Sequence, residues 1–211
     1  LFRSGDNGSG MMVMPGTYTA QLLERDNGRF TAISEPRSFE VEPLEGQTPA
    51  SGEQEARLVF QTKVARLQRA VLGTNRVTEQ TAQQLDRIKQ AVQNGPDVSL
   101  DLYERARTLE RRLADLQARL TGNEVKEEYS APTPPAIVDR VQRVVGAFWS
   151  TTAPPTDTHR RDYEIAAEEF AVLLGEVRTL VEEDLRALER QLEEAHVPWT
   201  EGRGLPTWQP E

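Results

Sequence analysis

The sequence predicts a mainly α protein, in which an antiparallel helical bundle with two long helices follows a small antiparallel β segment. Apolar residues recur at helical spacing through most of residues 55–197, whereas apolar and polar residues alternate in places within residues 1–46. Residues 47–54 contain Gly, Pro and Ser and are typical of a linker. The tryptophan- and proline-rich residues 198–211 are expected to form an extended tail over the bundle surface.

The residues before the linker are typical of short antiparallel strands. Residues 17–22 alternate between apolar and polar types, and Asn27 with Gly28 predicts a tight hairpin turn. Residues 30–33 are expected to form the returning strand, and residues 38–43 alternate again. Three strands cannot bury both faces of a sheet by themselves. We therefore expect residues outside this chain to complete an immunoglobulin-like sandwich, of which this segment is the end.

The first helix is predicted from the linker to about Asn94, before Gly95 and Pro96. Its inward positions keep a seven-residue repeat, which is typical of supercoiled packing. These positions are Phe60, Val64, Leu67, Val71, Thr74, Thr78, Thr81, Leu85, Ile88 and Val92. The three threonines give this stripe a polar centre that weakens it locally.

Three further helices are predicted. The second runs from a cap at Ser99 to Gly122, with an apolar stripe from Leu102 to Leu120, and a short third helix follows the prolines near residue 135. The fourth runs from about Thr158 to His196. Its stripe is predicted at Phe170, Leu173, Val177, Leu180, Asp184, Leu188 and Gln191, widened by Leu174, Val181, Leu185 and Leu192.

Composition excludes several classes of function. A formal net charge of −9 is unsuited to nucleic acid, whose phosphates require a basic surface. The absence of cysteine removes disulfides, thiolate metal sites and cysteine nucleophiles. No apolar run approaches the ~20 residues that cross a bilayer. The chain starts without methionine, and we expect it to begin partway through a longer product.

One stretch, residues 148–164, concentrates reactive residue types. A serine nucleophile needs a base and an orienting carboxylate, for which the stretch offers Ser150, His159 and Asp157 or Asp162. No Gly-x-Ser-x-Gly turn surrounds the serine. A corner between two helices explains the same residues, because 156–158 holds three residues that can cap a helix. We therefore predict no catalytic residue here.

Glu193 and His196 have the Glu-x-x-His spacing of di-iron carboxylate bundles. Such a centre needs a second pair of this kind, and the chain has only two histidines. A histidine in the last helical turn is already explained by the helix dipole. We predict neither a metal site nor a cofactor site.

Aromatic residues in the tail are candidates for contact. Tryptophans among prolines either fasten a terminus to its own bundle, which we favour, or mark a partner surface. Strands with an unpaired edge can template a further strand. The possible partner contacts are Tyr18, Leu22, Phe39, Val41, Trp199 and Trp208.

Four stretches together resemble the C-terminal region of bacterial propeller proteins with BNR (Asp-box) repeats, which are sortilin-like and often labelled glycosyl hydrolases. They are VMPGTYTAQL (13–22), SFEVEP (38–43), residues 134–177 and VPWTEGRGLPTW (197–208). The resemblance implies a small sandwich and a closing helical segment in an exported protein, periplasmic or secreted. It places the propellers and any catalytic acids upstream, so it assigns no catalytic residue to this chain.

The predicted function is that of a non-catalytic structural and interaction module, a scaffold or accessory part of a larger extracytoplasmic protein or complex. Its partner would be another protein or a missing upstream domain, with no nucleic acid and no direct membrane span. Two alternatives remain open. The chain could be the C-terminal stabilising domain of a glycan-acting propeller enzyme, or an accessory subunit that stabilises a membrane-anchored assembly.

Overall fold

The computed structural model describes residues 13, 15–43, 51–95, 100–122, 134–150 and 153–206. Its strands are β1 (Gly16–Ala20), β2 (Leu23–Asp26), β3 (Arg29–Ala32) and β4 (Arg37–Val41). Its α-helices are α1 (Ser51–Asn94), α2 (Leu100–Thr121), α3 (Ile137–Ser150), α4 (Asp157–Arg178) and α5 (Leu185–Glu194). A π-helical segment, Thr179–Asp184, joins α4 to α5. The predicted mainly α fold with a small antiparallel β segment is confirmed.

The chain divides into two compact units. Unit 1 comprises Leu1–Ala65 and Val145–Thr156, and unit 2 comprises Arg66–Val144 and Asp157–Glu211. Unit 1 therefore contains all four strands, the start of α1 and the end of α3. In its helical part the rings of Phe60 and Phe148 meet edge to face, with centroids 5.7 Å apart.

The β segment forms a hairpin in two tiers. β1 pairs with β4, and β2 pairs with β3 inside them, both antiparallel. Asn27 and Gly28 make the predicted turn, both at positive φ (47° and 83°), which a two-residue hairpin turn requires. The described segment thus has four strands, and the prediction of three was wrong.

The extra strand arises because the first predicted strand is interrupted after Ala20. At the interruption the side chains of Gln21 and Ser34 replace ladder hydrogen bonds. Gln21 Nε2 donates to the Ser34 carbonyl at 3.0 Å, and the Leu22 amide donates to Ser34 Oγ at 3.0 Å. The alternation of apolar and polar residues runs on through Gln21 and Leu22, so it does not reveal that β1 ends at Ala20.

The predicted stripes of α1 and α2 are confirmed almost throughout. Every predicted inward position of α1 is buried except Leu67, which is half-buried. Within the polar centre of that stripe, Thr78 Oγ1 donates to the Asn75 carbonyl and Thr81 Oγ1 to the Val77 carbonyl, both at 2.8 Å. These bonds to the helix's own backbone allow the two hydroxyls to be buried at low cost.

The π-helical segment shifts the stripe of the fourth predicted helix by one residue. A π turn holds one more residue than an α turn. Asp184 and Gln191, which the seven-residue repeat placed in the stripe, are only half-buried. Leu185 and Leu192, which were predicted only to widen the stripe, are buried at 2% and 0% exposure, and Leu188 is buried as predicted. The prediction of Asp184 and Gln191 as stripe positions was therefore wrong.

The same shift appears in a ladder of polar contacts between α2 and the α4–α5 helix. The arginines of α2 recur every seven residues, and their partners run in the opposite direction, so the two helices are antiparallel. The pairs are Arg105–Gln191, Arg112–Asp184 and Arg119–Glu176. Partners 184 and 191 are seven residues apart, whereas 176 and 184 are eight apart. The additional residue falls in the π-helical segment.

The end of α5 is a Schellman motif without glycine. His196 adopts positive φ (55°), its amide donates to the Glu193 carbonyl, and the Val197 amide donates to the Leu192 carbonyl at 2.9 Å. Val197 and Leu192 are both buried, as the hydrophobic contact of this motif requires. His196 is thus the residue of left-handed conformation that ends α5. The helix dipole alone does not account for this role.

Candidate interaction surfaces

The β1–β4 ladder has one apolar and one polar face. Tyr18 lies directly opposite Phe39 in the register, and their rings stack with centroids 6.1 Å apart. Val41 lies opposite Gly16 on the same face. Thr19 and Ser38 pair on the other face, with their hydroxyl oxygens 3.5 Å apart. The register thus brings three of the predicted contact residues onto one face.

That apolar face is only partly covered. Phe39 is 50% exposed, and Tyr18 and Val41 are half-buried. Leu22, the fourth predicted contact in the β segment, lies at the interruption between β1 and β2 and is 67% exposed.

The β2–β3 ladder adds apolar surface that the sequence prediction did not include. Leu23 is 53% exposed and Phe30 is 63% exposed, and both share a face with Arg25. The Arg25 guanidinium lies over the Phe30 ring, 5.8 Å from its centroid. Ile33, just after β3, is 61% exposed.

Residues 197–204 fold into a compact turn on unit 2, where an extended tail was predicted. The buried Arg203 guanidinium donates to Glu193 Oε2 at 2.8 Å and to the carbonyls of Val197 and Pro198 at 3.3 and 3.2 Å. Gly202 has φ +98°, and a Cβ built there would lie 3.0 Å from the side chain of Gln84. A close approach of this turn to α1 thus requires glycine at 202.

Trp199 belongs to this turn. Its Nε1 donates to the Gly204 carbonyl at 2.8 Å, and the side chain remains 51% exposed. This hydrogen bond closes the turn on itself and does not join Trp199 to a helix, and the exposed ring leaves area for contact. Trp208 and the side chain of Trp149 lie outside the described residues.

The corner between α3 and α4 holds its aspartate in a structural role. α3 ends at Ser150 and α4 begins at Asp157, as the corner predicts. Asp162 is 7% exposed, and its two oxygens accept from Arg140 Nη1 at 3.4 Å and Arg143 Nη1 at 3.1 Å. The Asp162 carboxylate therefore pairs with two arginines instead of orienting a histidine. The side chain of Ser150 lies outside the described residues.

The Glu193 and His196 pair is likewise used in packing. Glu193 accepts from Arg203, and His196 Nδ1 lies 2.9 Å from the Glu194 carbonyl oxygen. In the described part of the chain, no group of three or more His, Asp or Glu side chains is arranged to hold a metal ion.

No protein-family model, no curated protein and no solved structure matches this chain. Among the helices in the described ranges, none combines the length and apolar character needed to cross a bilayer.

Proposed function

We propose that the chain is a non-catalytic interaction module, a scaffold or accessory part of a larger extracytoplasmic protein or complex. The observation that supports this most is the exposed apolar surface of the β segment. Every strand residue of the segment is exposed or lies in the intermediate range, and Leu23, Phe30 and Phe39 are each at least 50% exposed. Contiguous exposed apolar surface is typical of a site that another protein covers.

Energetics favour covering this face. A two-stranded hairpin alone is marginally stable in water. Fully burying a Phe or Leu side chain contributes roughly 1.5–3 kcal/mol. Burial of the Phe39 side chain and its neighbours by a partner therefore contributes binding free energy and also stabilises the hairpin.

The strand edges offer a second mode of contact to the same partner. Among the described residues each ladder has only two strands, so each strand pairs on one side. The unpaired amide and carbonyl groups of such an edge can accept an added strand, and alternate side chains then set its specificity.

The non-catalytic character is supported by how the candidate carboxylates are used. Asp162 is held by two arginines, and Glu193 is held by Arg203. Both carboxylates are thus engaged in ion pairs within the fold.

The two alternatives, a domain of a propeller enzyme and an accessory subunit, differ in which polypeptide covers the β segment. If the resemblance to propeller proteins holds, the covering residues belong to the same polypeptide upstream, and the module stabilises a glycan-acting enzyme. If the chain is an accessory subunit, the covering residues belong to a neighbouring subunit. The extracytoplasmic location rests on that resemblance alone.

Replacing Phe39 by Lys tests the proposal in the cell that makes the protein. The substitution places a charge on the apolar face of β4, and we expect retention of the chain in its native assembly, measured by sedimentation, to fall at least tenfold. Glu40→Lys is the matched control, since Glu40 is the next residue of β4 and lies on the polar face. It should leave retention unchanged. Equal retention of the two variants would refute the proposed contact.

A further inference from the structure

A groove in unit 2 lies between α1 and the α4–α5 helix, with a volume of about 600 Å³. Its floor on α1 includes the small residues Ala70 and Gly73, followed by Val77, which is 41% exposed. The half-buried side chains of Leu174 and Val181 form its opposite wall. The groove is thus apolar at its centre, where the small residues Ala70 and Gly73 form its α1 side.

The rim of this groove is basic. Arg66, Arg69 and Arg178 line it and are exposed, and Glu182 is the acidic residue among the lining side chains. Within the described ranges none of these three arginines forms an ion pair. The arginines of the α2 ladder, by contrast, are all occupied. An unpaired basic rim in a chain of net charge −9 indicates a partner with acidic side chains.

We propose that this groove binds an amphipathic α-helix of another protein, with an apolar stripe flanked by acidic residues. The α1 side of the groove extends from residue 66 to residue 77, which at 1.5 Å per residue is about 16 Å, or three helical turns. Three turns accommodate apolar anchors at positions i, i+3 or i+4, and i+7 of a bound helix. Aspartate or glutamate beside those anchors would meet the arginine rim.

Gly73 allows such a helix to approach α1 closely. Glycine inside a helix costs roughly 1 kcal/mol relative to alanine. A Cβ built at Gly73 would meet no atom within 4 Å, so no neighbouring group in the described ranges excludes a side chain at this position. Leucine at 73 would therefore be tolerated by the fold and would occupy the groove.

Gly175 on α4 provides a matched control. It is also a helical glycine whose added Cβ would meet no atom within 4 Å, and it does not line the groove. Leucine at 175 adds the same side chain to a helix without filling the groove.

The test uses the intact chain and two designed helical peptides of about 16 residues, one with glutamate and one with lysine beside the same leucine stripe. Binding is measured by fluorescence anisotropy. We expect the acidic peptide to bind at least tenfold more tightly than the basic peptide. Its affinity should fall at least tenfold in Gly73→Leu and stay within twofold in Gly175→Leu. Arg69→Glu should reduce the preference for the acidic peptide.

Three results would overturn the proposal: equal affinity for both peptides, unchanged affinity in Gly73→Leu, or equal loss in both glycine variants. Concentration-dependent self-association of the chain that Gly73→Leu abolishes would also overturn it, because the occupant would then be a second copy. Thermal unfolding of Gly73→Leu, expected at the temperature of the unaltered chain or above, separates blocked binding from misfolding. The inference goes beyond the proposed function and does not depend on it, since Phe39→Lys should leave peptide affinity unchanged.

Discussion

Replacing Leu192 by Ala is expected to lower the free energy of unfolding by about 3 kcal/mol, because it removes a fully buried side chain and leaves a cavity. Gln191→Ala is expected to change it by less than about 0.5 kcal/mol, since a half-buried polar side chain contributes little. The hydrogen bond that Gln191 accepts from Arg105 is exposed and 3.2 Å long. Urea denaturation followed by circular dichroism measures both values.

The pair of variants tests the register after the π-helical segment. A helix that kept the seven-residue repeat would place residue 191 at the centre of the buried stripe and residue 192 at its edge. A larger cost for Gln191→Ala than for Leu192→Ala would therefore contradict the observed one-residue shift.

Asp162→Ala is expected to lower the free energy of unfolding by about 3 kcal/mol. Removing one member of a buried ion pair leaves an uncompensated charge, which is costly. The side chain of Arg140 is 15% exposed and would retain only the contact of its Nε with Glu169 at 3.9 Å. The corner between α3 and α4 would lose the group that joins its two helices.

Arg143→Ala is the matched control for that prediction. The side chain of Arg143 is 53% exposed, and exposed ion pairs contribute about 0–1 kcal/mol. Thermal and urea denaturation of the two variants should therefore differ clearly. Similar costs for Asp162→Ala and Arg143→Ala would show that burial of the aspartate does not set the energy of this cluster.

The helices were predictable from the sequence, because a long series of apolar residues at helical spacing is compatible with few other structures. The stripes of α1 and α2 needed only a count of apolar positions. The π-helical segment was not predictable in the same way. Asp184 and Leu185 are neighbours, and a repeat that continues through them fits either residue until the packing partner on α2 is known.

Long-range pairings were the least predictable part. Arg203 stands between two glycines in the tail, and nothing in its neighbourhood indicates that it is buried against Glu193. The basic-rimmed groove was also missed, since Arg66 and Arg178 are distant in sequence. The Asn27–Gly28 turn, in contrast, was predictable because positive φ at two successive positions is a local requirement.

The contact residues of the β segment were partly foreseen. Alternation placed Tyr18 and Phe39 on apolar faces, and the ladder register brings those faces together. Phe30 is absent from the predicted contact residues, because residues 30–33 were interpreted only as the second strand of a hairpin.

Backbone amide hydrogen exchange in β1–β4 tests the central claim most directly, when the chain isolated alone is compared with the protein purified from its native source. In the isolated chain an uncovered hairpin should open readily, with amide protection of about tenfold or less. In the native protein, where a partner or further residues cover Phe39 and its neighbours, protection should rise to about a thousandfold or more. Equal exchange in the two samples, with the native protein sedimenting as a monomer of 23.7 kDa, would contradict the account.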